Sequence, residues 1–146
     1  MSKHFLAGYA LIVLRRDNHV LFVKRSASAP FGADCYSLIG GRVEKDETFR
    51  QALVRETMEE VGVSIDPTDL HFVHAFYREG AESPLVALVF ECTRWSGEPF
   101  NKEPQKHSAM SWFSLDDLPQ NMLPAHRGAL ELIKQKVFYS EQRPSQ

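Results

Sequence analysis

Residues 40–63, GGRVEKDETFRQALVRETMEEVGV, combine a Gly-Gly turn with a run rich in carboxylates. Thr48 is a suitable helix N-cap, and Gln51 follows three residues later, a spacing that predicts a capping box. Gly62 marks the end of the helix, because glycine readily adopts the left-handed conformation found there. The segment therefore predicts a loop followed by a helix from about Phe49 to Val61.

The predicted helix separates apolar from acidic side chains. At about 100° per residue, one arc carries Leu53, Val54, Thr57, Met58 and Val61. A second arc carries Glu56, Glu59 and Glu60, with Glu56 and Glu60 one turn apart. Acidic faces of helices are often simply solvated. Three carboxylates on one arc also repel one another, however, and a hard divalent cation such as Mg²⁺ would relieve that repulsion through oxygen ligands.

The spacing of the segment distinguishes these interpretations, because it resembles the Nudix box, Gly-x5-Glu-x7-Arg-Glu-U-x-Glu-Glu-x-Gly-U, where U is a bulky aliphatic residue. The matching positions are Gly41, Glu47, Arg55, Glu56, Glu59, Glu60, Gly62 and Val63. Thr57 departs from the pattern at a U position, although its β-branched side chain has nearly the required volume. The resemblance implies an α/β fold, an α/β/α sandwich with a mixed β-sheet between helices.

The resemblance also implies a metal site and a reaction. The expected ligands are the carboxylates of Glu56, Glu59 and Glu60 and the carbonyl group of Gly40. Mg²⁺ is the expected cofactor, with Mn²⁺ as a substitute. Cations held there would neutralise the oxygens of a diphosphate and activate a water molecule. The general base stays open among Glu59, Glu56 and Glu103.

Four residues outside the acidic arc complete the expected site. Glu103 lies in the loop 95–107, where Nudix enzymes often supply a further acidic group, and Glu98 is the reserve candidate. Arg25, at the end of a predicted strand, is a candidate ligand for substrate phosphate; the alternative is a solvated arginine. Glu47 and Arg55 are expected to pair and to orient the box carboxylates rather than to contact substrate.

The remainder of the chain predicts strands, loops and one more helix. Apolar runs indicate strands at 8–14, 20–24, 70–77, 85–92 and 109–113. A second helix is predicted from Pro124, with Leu130, Ile133, Val137 and Phe138 at helical spacing. His71 and His74 are interpreted as packed or solvent-facing side chains. We expect a single domain over residues 1–146, with a core at about 5–138 and a frayed polar tail at 139–146.

The composition excludes several classes of protein. The chain has 146 residues, 43% of them hydrophobic and 25% charged, which suits one domain with a core. The net charge of −2, without a basic block, argues against duplex nucleic acid as a partner. An apolar run of about 18 residues, as a membrane span requires, is missing, as is the apolar core of a signal peptide. The two distant cysteines indicate free thiols in the cytoplasm.

The expected reaction is Mg²⁺-dependent hydrolysis of a phosphoanhydride bond in a nucleoside diphosphate linked to another group. A nucleoside triphosphate, giving monophosphate and pyrophosphate, is favoured over a nucleotide sugar, ADP-ribose or a dinucleotide. A non-catalytic nucleotide sensor and an isoprenyl diphosphate isomerase using Cys35 are alternatives of other classes. Residues 123–126 lack the aromatic and acidic groups that some relatives acting on oxidised purines carry, which argues against that specificity. A homodimer is compatible with the sequence.

Overall fold

The computed structural model describes residues 5–79 and 83–143. It contains two α-helices, eight strands and a short 3-10 turn, in the order β1 Ala7–Arg16, β2 His19–Arg25, β3 Tyr36–Ser37, β4 Ile39–Arg42, α1 Phe49–Val61, the turn Pro67–Asp69, β5 His71–Arg78, β6 Leu85–Cys92, β7 His107–Ser114, α2 Pro124–Lys134 and β8 Tyr139–Gln142. The predicted hairpin loop 78–84 falls partly outside the described residues. Neither α-helix in the described ranges is long and apolar enough to cross a membrane.

Strand β1 is the centre of a mixed sheet. It pairs in parallel with β6 through residues 7–14 and antiparallel with β4 through residues 9–12. It meets β2 only at the hairpin end, where Arg15 pairs with Val20. Beyond that point β2 pairs with β3 and β7, so the sheet runs β3-β2-β1-β6-β5-β8, with β4 and β7 branching from it. The predicted α/β class is confirmed.

The two helices lie on opposite faces of this sheet. Side chains alternate along a strand, so one strand can serve two cores. In β1, Ala10, Ile12 and Leu14 pack in the cluster that contains Ala52, Leu53 and Val61 of α1. The intervening Leu11 and Val13 pack in the cluster that contains Ala129 and Leu130 of α2. This arrangement is the expected α/β/α sandwich.

Helix α1 begins and ends where the sequence predicts, but its buried face is rotated. The capping box between Thr48 and Gln51 is formed, and Gly62 adopts φ 69° at the C-terminus. Met58, expected on the apolar arc, is 40% exposed, whereas Glu60 is 5% exposed. Thr57 is buried and its hydroxyl donates to the Leu53 carbonyl at 2.7 Å, which explains why threonine fits an aliphatic position.

The expectation of a frayed tail at 139–146 is wrong for residues 139–142. These residues form β8, which pairs in parallel with β5. Helix α2 ends at Lys134, so Val137 and Phe138 lie beyond it instead of on its apolar face. Buried His74 explains the docking: its Nδ1 lies 2.7 Å from the Val137 carbonyl oxygen and its Nε2 lies 2.9 Å from Ser140 Oγ.

Candidate metal and active site

Arg55 ties together the carboxylates on the acidic side of α1. Its Nε and Nη2 atoms donate to both oxygens of Glu47, at 2.8 and 2.9 Å, so the loop before the helix folds back as required. Its Nη1 atom donates to Glu56 at 2.8 Å and to Glu59 at 3.3 Å. A further bond to the carbonyl oxygen of Arg42 fixes the guanidinium against β4. The hydrogen bonds from Arg55 lower the pKa of Glu47 and hold it ionised.

Glu60 is the most deeply buried of the three box carboxylates. Its Oε2 accepts the backbone N–H of Gly40 at 3.1 Å, and its Oε1 lies 3.4 Å from Nε2 of His107. Burial, followed by the nearby Glu56 carboxylate, raises the pKa of Glu60 well above its usual value. Burial also raises the pKa of Glu56, against the opposing effect of Arg55. Without a cation, the Glu56–Glu60 pair therefore tends to keep a proton. A bound cation would balance the negative charge in place of that proton.

Two glycines let β4 approach these carboxylates closely. A Cβ atom on Gly41 would lie 2.7 Å from Oε1 of Glu56. Gly40 has φ 146°, and a Cβ atom there would lie 2.1 Å from the carbonyl oxygen of Ala10. Any side chain at either position would therefore disturb the carboxylates or the strand pairing that supports them.

The structure brings Glu103 to the site and leaves Glu98 elsewhere. Ligand atoms of Glu60, Glu103 and His107 all lie within 4.8 Å of one another. Glu103 is 20% exposed at its side chain and pairs with Lys106 at 3.3 Å. Glu98 is 77% exposed and contacts Arg16 at 3.5 Å instead. Of the two loop candidates, Glu103 alone joins the carboxylate cluster.

Glu59 and Arg25 lie at the margins of this cluster. The Glu59 side chain is 51% exposed, so its carboxylate faces solvent beside the buried pair. Arg25 directs its Nε to the carbonyl oxygen of Phe31, at 2.7 Å. Phe31 and Arg78 line a neighbouring open groove of about 330 Å³ together with Leu123 and Pro124. Arg25 thus lies beside this groove, and its proposed phosphate contact stays a prediction.

His107 is a site residue that the sequence analysis missed. It was counted as the end of the loop 95–107, whereas it begins β7. Lys24 pairs with Ala109 and Arg25 pairs with His107, so Ser108 is an extra residue in β7. Such a bulge reverses the alternation of side chains, and it turns His107 towards Glu60. The only available signal was a histidine four residues after a candidate carboxylate.

The family model described as NUDIX domain matches residues 4–133. The chain belongs to the Nudix family. It is 32% identical over 127 residues to the 8-oxo-dGTP diphosphatase of Escherichia coli K12, covering 86% of this chain and 94% of that protein. It is 33% identical over 122 residues to the CTP pyrophosphohydrolase of the same organism, covering 82% and 84%.

A solved structure supports the same assignment. The MutT Nudix hydrolase of Burkholderia pseudomallei superimposes with a TM-score of 0.80 at 35% identity, covering 88% of this chain and 98% of that one. This Nudix hydrolase therefore acts on pyrophosphate bonds of nucleotides, the chemistry shared by its relatives. Nudix enzymes generally use a divalent metal. The buried Glu56–Glu60 pair, with its raised pKa values and oxygen donors, fits such an ion.

Proposed function

We propose that this Nudix hydrolase cleaves nucleoside triphosphates to the monophosphate and pyrophosphate in a Mg²⁺-dependent reaction. The observation that carries the proposal is the carboxylate cluster of Glu56, Glu59 and Glu60, which Arg55 and Gly40 hold in place. Two relatives that match most of this chain are named for nucleoside triphosphates, 8-oxo-dGTP and CTP. Their names support a triphosphate over a nucleotide sugar.

Different residues of the site bind the cation, orient the carboxylates and accept the proton. The carboxylates of Glu56, Glu59 and Glu60 would hold a divalent cation, which would neutralise phosphate oxygens and lower the pKa of a bound water molecule. The Gly40 N–H fixes Glu60, and Arg55 fixes Glu56, so both carboxylates are preorganised. A water oxygen forms a bond to the α- or the β-phosphorus while the P–O bond of the bridge between them breaks. Pyrophosphate is the leaving group in the first case and the monophosphate in the second. The proton released by the water passes to a carboxylate.

Of the three candidates for that proton acceptor, Glu56 is the least available because Arg55 donates to it at 2.8 Å, which leaves Glu59 and Glu103. Glu59 is half exposed, and among the described residues its carboxylate is held by a single long contact to Arg55, at 3.3 Å, so it can turn towards a water molecule. Glu103 faces the cluster from the opposite loop, and its partner Lys106 is 66% exposed and free to move away. The base is whichever of the two carboxylates lies within hydrogen-bonding distance of the attacking water in the substrate complex. Glu59 would approach that water from α1 and Glu103 from the loop before β7.

The neighbouring groove is proposed to hold the nucleoside part of the substrate. Phe31 is 49% exposed, and the Arg78 guanidinium carbon lies 4.8 Å from its ring centroid. An exposed aromatic ring beside arginines offers a stacking surface for a base and positive charge for phosphates. Arg25, bonded to the Phe31 carbonyl oxygen, is placed to reach a phosphate if that bond exchanges.

A substrate panel tests the proposal. Purified protein is incubated with Mg²⁺ in ¹⁸O-labelled water with each common ribo- and deoxynucleoside triphosphate, 8-oxo-dGTP, nucleotide sugars, ADP-ribose and dinucleotides. Chromatography with mass spectrometry identifies the products and the labelled phosphate. We expect monophosphate and unlabelled or singly labelled pyrophosphate from at least one triphosphate, and no product after EDTA is added.

The panel also distinguishes the rival functions. Turnover confined to nucleotide sugars, ADP-ribose or dinucleotides would replace the triphosphate with that class. Tight nucleotide binding without any turnover would indicate the sensor function. Release of orthophosphate with a nucleoside diphosphate would contradict the proposed bond cleavage even if a triphosphate were the substrate.

A further inference from the structure

The imidazole of His107 is buried within the carboxylate cluster and is poorly satisfied by protein partners. Its side chain is 8% exposed. Its Nδ1 atom has no hydrogen-bond partner among the described residues. Its Nε2 atom faces Oε1 of Glu60 at 3.4 Å, longer than the usual range of about 2.7–3.2 Å for an N–H···O bond. A buried polar ring that gains so little from the protein needs another partner.

The distances suit coordination by one ion. Two ligand atoms about 2.1 Å from one ion are about 3.0 Å apart at an octahedral angle and about 3.4 Å apart at a tetrahedral angle. The His107–Glu60 separation of 3.4 Å is at the upper end of this range, and a Glu103 oxygen lies within 4.8 Å of both ligand atoms. Among the described residues, the Glu103 carboxylate is held by Lys106 alone, and the exposed Lys106 side chain is easily displaced. A small movement of the Glu103 carboxylate would therefore close the site.

We propose that His107 donates a nitrogen ligand, beside the carboxylates of Glu60 and Glu103, to a divalent cation at this site. The inference rests on the proposed metal dependence and refines it. Imidazole is a favourable ligand for transition metals, whereas Mg²⁺ prefers oxygen alone. The chain therefore binds Mn²⁺ and Co²⁺ more tightly than Mg²⁺, and His107 is the cause of this preference.

Asn101 fits the role of a supporting partner for the ligated ring. Coordination through Nε2 leaves the imidazole proton on Nδ1, and ligating histidines usually donate that proton to a neighbouring acceptor. Oδ1 of Asn101 is also buried without a partner among the described residues. The Asn101 amide donates to the backbone carbonyl of His107 at 2.8 Å, but Asn101 Oδ1 and His107 Nδ1 do not bond to each other in the structure, so this second hydrogen bond would have to form when the ring binds an ion.

Pulsed EPR on the 146-residue chain, stripped of metal and reloaded with Mn²⁺, tests the ligand directly. A coordinated imidazole gives ¹⁴N modulation of the Mn²⁺ signal. We expect this modulation in the wild type, its loss in His107→Gln, and its retention in His71→Gln, which removes an exposed histidine on β5. Titrations should show that His107→Gln weakens Mn²⁺ binding about tenfold or more, but Mg²⁺ binding less than about threefold.

The outcomes separate this inference from the proposed function. Mn²⁺ binding without ¹⁴N modulation, or equal weakening of Mn²⁺ and Mg²⁺ in His107→Gln, would overturn the ligand role while nucleotide hydrolysis stands. Failure of the wild type to bind any divalent cation would overturn both. If His107→Gln does not fold, the wild-type spectrum with ¹⁵N-labelled histidine still shows whether a histidine is the ligand, because the modulation must then change with the isotope. His107 is the histidine that the described structure places with Glu60 and Glu103.

Discussion

Glu47 and Arg55 are joined by two nearly parallel hydrogen bonds, 2.8 and 2.9 Å long, which fasten the loop before α1 to the middle of that helix. The same guanidinium reaches Glu56 and Glu59, so one side chain orients carboxylates from two segments. A planar guanidinium can serve several acceptors in one plane, which a lysine ammonium cannot reproduce.

Replacing Arg55 with lysine should therefore impair both stability and catalysis. We expect Arg55→Lys to lower the free energy of unfolding by about 1–3 kcal/mol, because the half-buried carboxylates lose their paired donors. The kcat should fall about 10- to 100-fold with little change in KM, since Arg55 positions ligands without contacting substrate. Urea denaturation and steady-state kinetics measure these effects. In the control Arg15→Lys, which alters a 3.4 Å pair with Glu91 and a hydrogen bond to the Asp17 carbonyl oxygen, both quantities should barely change.

Alanine at Gly40 should reduce stability, whereas alanine at Gly41 should reduce metal affinity and turnover. In Gly40→Ala the new Cβ meets backbone at 2.1 Å and the residue keeps an unfavourable φ, so we expect at least about 2–3 kcal/mol of destabilisation. In Gly41→Ala the Cβ meets only the movable end of Glu56, so the fold should persist. Metal affinity and kcat of Gly41→Ala should nevertheless drop about 10- to 100-fold. Equal unfolding midpoints for the two variants would contradict this contrast.

Glu60→Gln should separate stability from activity. The folded-state pKa of Glu60 is raised, so its carboxyl stabilises the fold below pH 4.5 and this contribution is lost as pH rises through the folded pKa. Glutamine cannot ionise and avoids that loss, so without metal Glu60→Gln should unfold at a higher temperature than the wild type at pH 7. Turnover should fall by orders of magnitude, while Mg²⁺ should stabilise only the wild type. Near-normal turnover would refute the metal assignment of Glu60.

The sequence predicts the elements of this fold better than the details of its site. Helix α1 and strand β6 have the predicted ends, because capping residues and apolar runs act locally. The burial of Glu60 depends on a distant backbone donor, the N–H of Gly40, which helical periodicity does not include. Helical periodicity therefore places the carboxylates on one side but misjudges how deeply each is buried.

Pairing between distant strands explains two other differences between the prediction and the structure, at His107 and at residues 139–142. His107 reaches Glu60 because Ser108 is bulged out of the pairing between β2 and β7, and a bulge depends on the partner strand. Residues 139–142 have the polar composition of a tail, yet they pair with β5 where His74 binds Ser140. Both features arise from contacts between segments more than 60 residues apart, which a local pattern cannot report.

His126 at the start of α2 should make the protein acid-sensitive between pH 6.5 and about 4. Its Nδ1 accepts the Leu38 N–H at 3.0 Å, and burial, reinforced by the charges of Arg78 and Arg25, lowers its pKa to about 4. Unfolded chains take up this proton near pH 6.5 and the folded chain does not. The free energy of unfolding should therefore decrease as the pH is lowered from 6.5 to about 4, by at most about 3 kcal/mol from this residue.

His126→Asn tests this, because its amide oxygen can replace Nδ1 but does not titrate. Urea denaturation at several pH values should show that the free energy of unfolding of His126→Asn depends less steeply on pH. His126→Leu, without an acceptor, should be less stable than the wild type at pH 7.5. An unchanged slope in His126→Asn would rule out His126 as the source.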